Sequence, residues 1–256
     1  MWPLAAWASL GVVAPPSAPA IAAIIFLHGS GDNGRGAQRY LKHVWNGKLL
    51  RLAEQKNVAM HFPSAIQRPY KLAGGQRMSV WYDRYGLEPT APEHTESVEE
   101  SCEQLRALID DIIASGIPPS RIAIGGFSMG GGIALQCVLR GEHRLAACFA
   151  LSSFMCDEAV VYERLASEKK PLPTSPPIFM RHGDSDDFIL PQWGASTAKK
   201  LQSFELSVDF GLVPRARHEL VSDEIEELAD WLFPKLLTAD RDGTDGHAAP
   251  VRKDET

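Results

Sequence analysis

Residues 21–27, Ile-Ala-Ala-Ile-Ile-Phe-Leu, form an unbroken apolar run rich in β-branched side chains, the pattern of a strand covered on both faces. The run ends in a glycine-rich loop, His28-Gly-Ser-Gly-Asp-Asn-Gly-Arg-Gly36. A helix over residues 38–54 and a short strand over 58–62 follow. Residues 63–92 read as one long irregular region, punctuated by Pro63, Pro69, Gly74, Gly75, Gly86 and Pro89. A loop of that length inside a compact domain is usually functional. Over residues 96–114, Val98, Cys102, Leu105, Leu108, Ile109, Ile112 and Ile113 recur at helical spacing and give one buried stripe on a solvated helix. Next come a strand at 121–127, a helix at 129–140, a strand at 145–151 and a helix at 158–168. A proline-rich connection through Pro171, Pro173, Pro176 and Pro177 leads to a strand at 178–182, a helix at 192–202, a strand at 206–213 and a last helix at 223–237. Strands and helices alternate throughout, which predicts an α/β protein with a mostly parallel central sheet flanked by helices on both faces.

The two ends read differently from this rhythm. Residues 1–14 are apolar, but no positive residue precedes the stretch and Pro3 interrupts it, so a signal peptide fits poorly. A first strand at residues 10–13, turning through Pro15 and Pro16, is the preferred expectation. From residue 238 the chain is polar and rich in Asp, Gly and Lys, a disordered tail by composition. The expected organisation is therefore one domain over 1–237 and a tail over 238–256.

Composition narrows the partners. With 256 residues, 45% hydrophobic and 23% charged, the chain has material for one well-buried domain. A net charge of -6 without a lysine or arginine cluster gives no reason to expect nucleic acid or an anionic membrane as a partner. Cys102, Cys137, Cys148 and Cys156 make no Cys-x-x-Cys pair and fall mostly in apolar patterns, as buried free thiols of a reducing, cytoplasmic compartment would. No apolar run reaches the length of a membrane-spanning helix.

Chemistry enters at Gly126-Phe-Ser-Met-Gly130, which lies between a predicted strand and a predicted helix. Strand, sharp turn and helix make the nucleophile elbow, with Ser128 projecting from the top of the sheet at the positive end of a helix dipole. A serine hydroxyl needs a neutral imidazole to take its proton and a carboxylate to orient that imidazole. In elbow-type hydrolases these follow the serine in the order acid, then histidine. Of the histidines after Ser128, His247 lies in the tail, His143 on the wrong side of the sheet, and His182 ahead of the candidate acids, where it can pack beneath their loop. His218, after the last strand, is the best base. Asp184, Asp186 and Asp187 are all candidates for the acid, and spacing does not choose among them. For the oxyanion, one backbone N–H comes from Met129, and the loop at His28-Gly-Ser30-Gly is placed to supply the other.

Together these segments resemble the acyl-protein thioesterase and lysophospholipase family of small α/β-hydrolases. The resemblance rests on Phe26-Leu-His-Gly-Ser-Gly-Asp32, Trp81-Tyr-Asp83, Gly125-Gly-Phe-Ser-Met-Gly-Gly131, Ala150-Leu-Ser-Ser153, His182-Gly-Asp-Ser-Asp186 and His218-Glu-Leu220, in the family's order. The motifs are nearest to the lysophospholipase-like protein 1 branch. The resemblance implies a triad of Ser128, Asp186 and His218, oxyanion donors at the amides of Ser30 and Met129, and no metal or organic cofactor. It implies a serine hydrolase of carboxylic esters or thioesters, either a depalmitoylase-like acyl-protein thioesterase or a short-chain carboxylesterase. The substrate would be an S-acylated protein or a small acyl ester, met at a transient contact with a membrane surface. Ser30, Met129 and Asp187 depart from the thioesterases' usual Leu, Gln and Pro, which leaves backbone amides intact but bears on substrate choice. In the lysophospholipase-like 1 branch the long acyl channel is closed, which implies short acyl groups. Leu72, Met78 and Trp81, on the long loop, are the expected substrate-binding residues. A non-catalytic binding module that keeps the residues without turnover is the rival reading.

Overall fold

A computed structural model describes residues 19–167 and 174–238. The strand expected at 10–13, part of the proline-rich connection and all but the first residue of the tail lie outside the described residues. Six strands form one parallel sheet: β1 (Ala22–Leu27), β2 (Val58–His61), β5 (Ile122–Phe127), β6 (Ala147–Leu151), β7 (Ile178–Gly183) and β8 (Val208–Val213). Their spatial order is β2-β1-β5-β6-β7-β8. The chain thus builds outward from β1 in one direction to β2 and then in the other from β5. The switch falls between β1 and β5, where open α/β sheets hold their ligands at the carboxyl ends of the strands.

The central strands β1, β5 and β6 are apolar without interruption because both of their faces are covered. In β1, Ala23, Ile25 and Leu27 face a core shared with α3 (Thr95–Ala114), α4 (Met129–Arg140), α5 (Val161–Ser167) and α6 (Pro191–Ser203). The alternate residues Ala22, Ile24 and Phe26 face the other core, shared with α1 (Gly34–His43), α2 (Lys48–Gln55) and α7 (Ser222–Leu237). Of the cysteines, Cys102, Cys137 and Cys148 are buried and Cys156 half-buried, all as free thiols. No helix among the described residues is long and apolar enough to cross a membrane.

Two sequence expectations change. The helix expected over 38–54 is two helices, α1 and α2, because Trp45, Asn46 and Gly47 stand in the left-handed region at φ 51°, 51° and 69°. Asn and Gly tolerate that conformation, and the Trp45 N–H is held by the Ser222 hydroxyl at 3.2 Å, so the kink is locked onto the start of α7. The long irregular region 63–92 contains an antiparallel pair, β3 (Gln67–Pro69) and β4 (Arg77–Ser79), which brings its chain back toward the end of β1.

Arg181 ties β7, β8 and α7 together. Its guanidinium lies 4.0 Å from the Phe179 ring centroid, meets Asp209 Oδ1 at 3.0 Å and forks onto Glu227 at 2.9 and 2.5 Å. Neighbouring Glu224 has no such partner. It is 2% exposed, and neither oxygen makes a full hydrogen bond. Burial pushes its pKa up to about 8, only partly offset by the backbone at Val221 and the charge of Arg181. The folded chain therefore keeps this proton up to about pH 8, whereas the unfolded chain releases it near the ordinary 4.5. Between those values the folded state binds more protons, so the contribution of this group to stability falls as pH rises. Glu224→Gln should melt several degrees above the wild type at pH 8, with the difference closing toward pH 5 in thermal unfolding followed by circular dichroism.

Candidate active site

The turn from β5 into α4 is forced by close approach. A Cβ at Gly126 or at Gly130 would lie 2.2 Å from the Leu27 carbonyl oxygen, so strand, helix and the end of β1 come together only with glycine at both positions. Between them Ser128 adopts φ 54° and ψ -124°, a strained conformation for a residue with a side chain. It is held there from both sides. Its N–H donates to Leu151 O at 2.8 Å, and its carbonyl accepts from the Ser153 hydroxyl at 2.6 Å and from Gly131 N at 3.0 Å.

His218 reaches the serine from the loop after β8, with Nε2 3.0 Å from Ser128 Oγ. Its Nδ1 lies 2.7 Å from Asp186 Oδ2. The carboxylate cannot donate, so Nδ1 carries the proton and Nε2 offers a lone pair to the serine hydroxyl. The rings of Phe127 and Phe188 flank the imidazole at 4.8 and 5.1 Å, while Tyr40 in α1 accepts the Leu220 N–H at 2.9 Å, two residues beyond.

The three aspartates after β7 have separate fates. The Asp186 side chain is fully buried, and Oδ1 accepts the Phe188 and Ile189 N–H groups at 3.0 and 2.9 Å. Asp184 accepts the Arg215 N–H at 2.7 Å in an exposed turn. Asp187 points outward into an exposed ion pair with Arg217. Only Asp186 meets the histidine.

The loop after β1 runs beside the serine: a Cβ on Gly29 would sit 3.5 Å from Ser128 Cβ. His28 fastens this loop, donating from Nδ1 to Gly29 O at 2.7 Å and accepting the Ala65 N–H at Nε2 at 3.0 Å. Burial lowers its pKa, consistent with a neutral ring in this bridging role. The Gly31 N–H is taken by Ser79 O at 2.9 Å and the Asp32 N–H by Gly29 O at 3.3 Å, the two amides that follow the one expected to donate, Ser30. Met129 opens α4, where an N–H has no acceptor within its own helix.

The expected substrate-binding residues separate. Trp81 is 2% exposed and donates from Nε1 to His28 O at 2.9 Å, so it braces the glycine-rich loop from inside the core and does not line an open surface. The Met78 side chain lies over Gly31, and Leu72 stands exposed on the turn between β3 and β4. The bracing by Ser153, Trp81 and Tyr40 was missed in the sequence reading; for Ser153 the usable signal is its place two residues past the end of a predicted buried strand. Among the described residues no group of His, Cys, Asp and Glu side chains could hold a metal ion.

Fold and site together define a serine hydrolase of the α/β-hydrolase fold. A family model described as Phospholipase/Carboxylesterase matches residues 9–234, and the chain belongs to that family. It is 38% identical over 224 residues to lysophospholipase-like protein 1 of Mus musculus, covering 88% of this chain and 91% of that protein. It is 32% identical over 238 residues to acyl-protein thioesterase 1 of Neurospora crassa, covering 90% and 94%. The crystal structure of acyl-protein thioesterase 2 of Zea mays superposes with a TM-score of 0.72 at 26% identity, covering 89% of this chain and 98% of that one.

The two neighbouring acids give a direct check on the geometry. Asp186→Asn should lower kcat/KM on an activated ester by roughly 10⁴. Asp187→Asn, which loses only an exposed ion pair, should leave kcat/KM nearly unchanged.

Proposed function

We propose that the chain hydrolyses carboxylic esters and thioesters through an acyl-enzyme on Ser128. The observation that carries this is the unbroken line from Ser128 Oγ to His218 Nε2 at 3.0 Å and from His218 Nδ1 to Asp186 at 2.7 Å. Ser128 Oγ attacks the carbonyl carbon while His218 Nε2 takes its proton. Asp186 holds the imidazole in the required tautomer and stabilises the imidazolium. The amides of Ser30 and Met129 donate to the oxygen as it gains charge, and the N-terminus of α4 adds its dipole. The imidazolium returns the proton to the departing alcohol or thiol, and a water deprotonated by His218 then cleaves the acyl-enzyme.

The substrate in this reading is an S-acylated protein or a small acyl ester, supported by the thioesterase relatives. The enzyme is cytoplasmic, one catalytic domain over residues 1–237 with a tail after it, and meets lipid-borne acyl groups at transient contacts with a membrane surface. Short acyl groups suit the segment before α3, where Val80 and Trp81 are packed into the core, Met78 is half-buried and Leu72 is exposed.

A fluorophosphonate probe should label the wild type and leave Ser128→Ala unlabelled; equal labelling of the two would overturn the nucleophile. On a graded series of p-nitrophenyl esters, kcat/KM should be highest for acetyl to hexanoyl groups and fall toward palmitoyl. A steady rise to palmitoyl would contradict the short-chain preference.

A further inference from the structure

His182 ends β7 and takes no part in the transfer of protons to or from the substrate, yet it is packed against the one carboxylate that matters. Its side chain is 1% exposed and that of Asp186 is fully buried. Nε2 lies 2.8 Å from Ile189 O and 3.4 Å from Asp186 Oδ2. Nδ1 has no hydrogen-bond partner and faces the backbone of Gly194 in α6, where a Cβ would come within 2.5 Å of it. This arrangement fixes the tautomer. A proton on Nδ1 would be a buried N–H without an acceptor and would turn the Nε2 lone pair toward two oxygens; a proton on Nε2 serves both oxygens and leaves only a lone pair beside Gly194. The charged and titratable groups that face the ring are Asp186 and His218. Burial lowers the His182 pKa, so the ring is neutral while it does this.

Ile189 is consequently gripped at both ends. Its carbonyl accepts from His182, and its N–H donates to Asp186 Oδ1 at 2.9 Å. We propose that His182 is a positioning residue for ester hydrolysis, its Nε2–H holding Asp186 in line with His218 both directly and through Ile189. The inference rests on the reading of Ser128, His218 and Asp186 as the reacting set. With the donor removed, Oδ2 keeps only His218, and the loop that carries Asp186 loses the bond that closes it on β7. The carboxylate then wanders from the line to Nδ1, which costs rate in the chemical step and leaves the binding surface alone.

Two amides separate this from simple space filling. His182→Gln carries an N–H donor at the position of Nε2, whereas His182→Asn holds the same amide one methylene short. His182→Gln should keep kcat within about threefold of the wild type, whereas His182→Asn should lower kcat roughly tenfold or more with KM little changed. The rate of fluorophosphonate labelling should fall with kcat. Thermal melting verifies that each variant is folded, and His182→Met replaces His182→Asn if the latter is not. Equal loss in the Gln and Asn variants, or wild-type kcat in the Asn or Met variant, would overturn the role. Asp186→Asn measured alongside separates the two levels. An active Asp186→Asn sinks the reacting set itself, whereas an inactive Asp186→Asn beside fully active His182 variants sinks the positioning role alone.

Discussion

The contact on which the site depends is between the backbone of the β5–α4 turn and the Leu27 carbonyl at the end of β1. Gly126 and Gly130 both press on that oxygen so closely that a single methyl group at either would collide with it. Because the two chain segments meet there, the serine between them is bent into a conformation that lifts its hydroxyl off the sheet. The same contact brings the loop after β1 alongside, with Gly29 in van der Waals reach of Ser128. Ser128, the helix N-terminus and the candidate oxyanion loop are therefore positioned by one close approach at the point where the sheet changes its winding direction. The strain at Ser128 is sustained by Leu151, Ser153 and the first turn of α4, which occupy its backbone groups.

Around this contact the polar groups are arranged by what they can and cannot donate. Asp186 is fully buried and surrounded by donors: two backbone amides on Oδ1, His218 and His182 on Oδ2. A buried carboxylate is tolerated only when its oxygens are satisfied in this way. His28 plays a matching part on the other side, bridging Gly29 and Ala65 while Trp81 takes its carbonyl. Glu224, a few residues beyond His218, has no comparable shell, and its burial keeps a proton on it instead. The same low-dielectric interior thus keeps one acid in a network of donors and another protonated, according to the groups within reach.

Much of this was legible along the chain. The run at 21–27, the stripe from Val98 to Ile113 and the elbow at Gly126 to Gly130 are local patterns, and period and punctuation report local structure directly. His218 followed from its place after the last strand. The errors fell where distant groups decide. A single helix over 38–54 fits the periodicity, but Ser222, 177 residues on, anchors the kink at Trp45. Trp81 reads as a substrate-binding aromatic on a long irregular loop, and the pairing of β3 with β4 folds that loop over the glycine-rich turn, where its indole N–H meets His28 O.

By itself the sequence determined the alternating architecture and the strand, turn and helix around Ser128, because each is written in residues that are neighbours along the chain. Tertiary structure decided between Asp184, Asp186 and Asp187. These share one short turn and the same chemistry, and they differ only in which groups converge on them: Arg215 on the first, His218 and His182 on the second, Arg217 on the third. Three of those partners, Arg215, Arg217 and His218, lie beyond β8 and reach the turn only because β7 and β8 run side by side in the sheet. Which carboxylate is buried is a property of that convergence, and no spacing rule contains it.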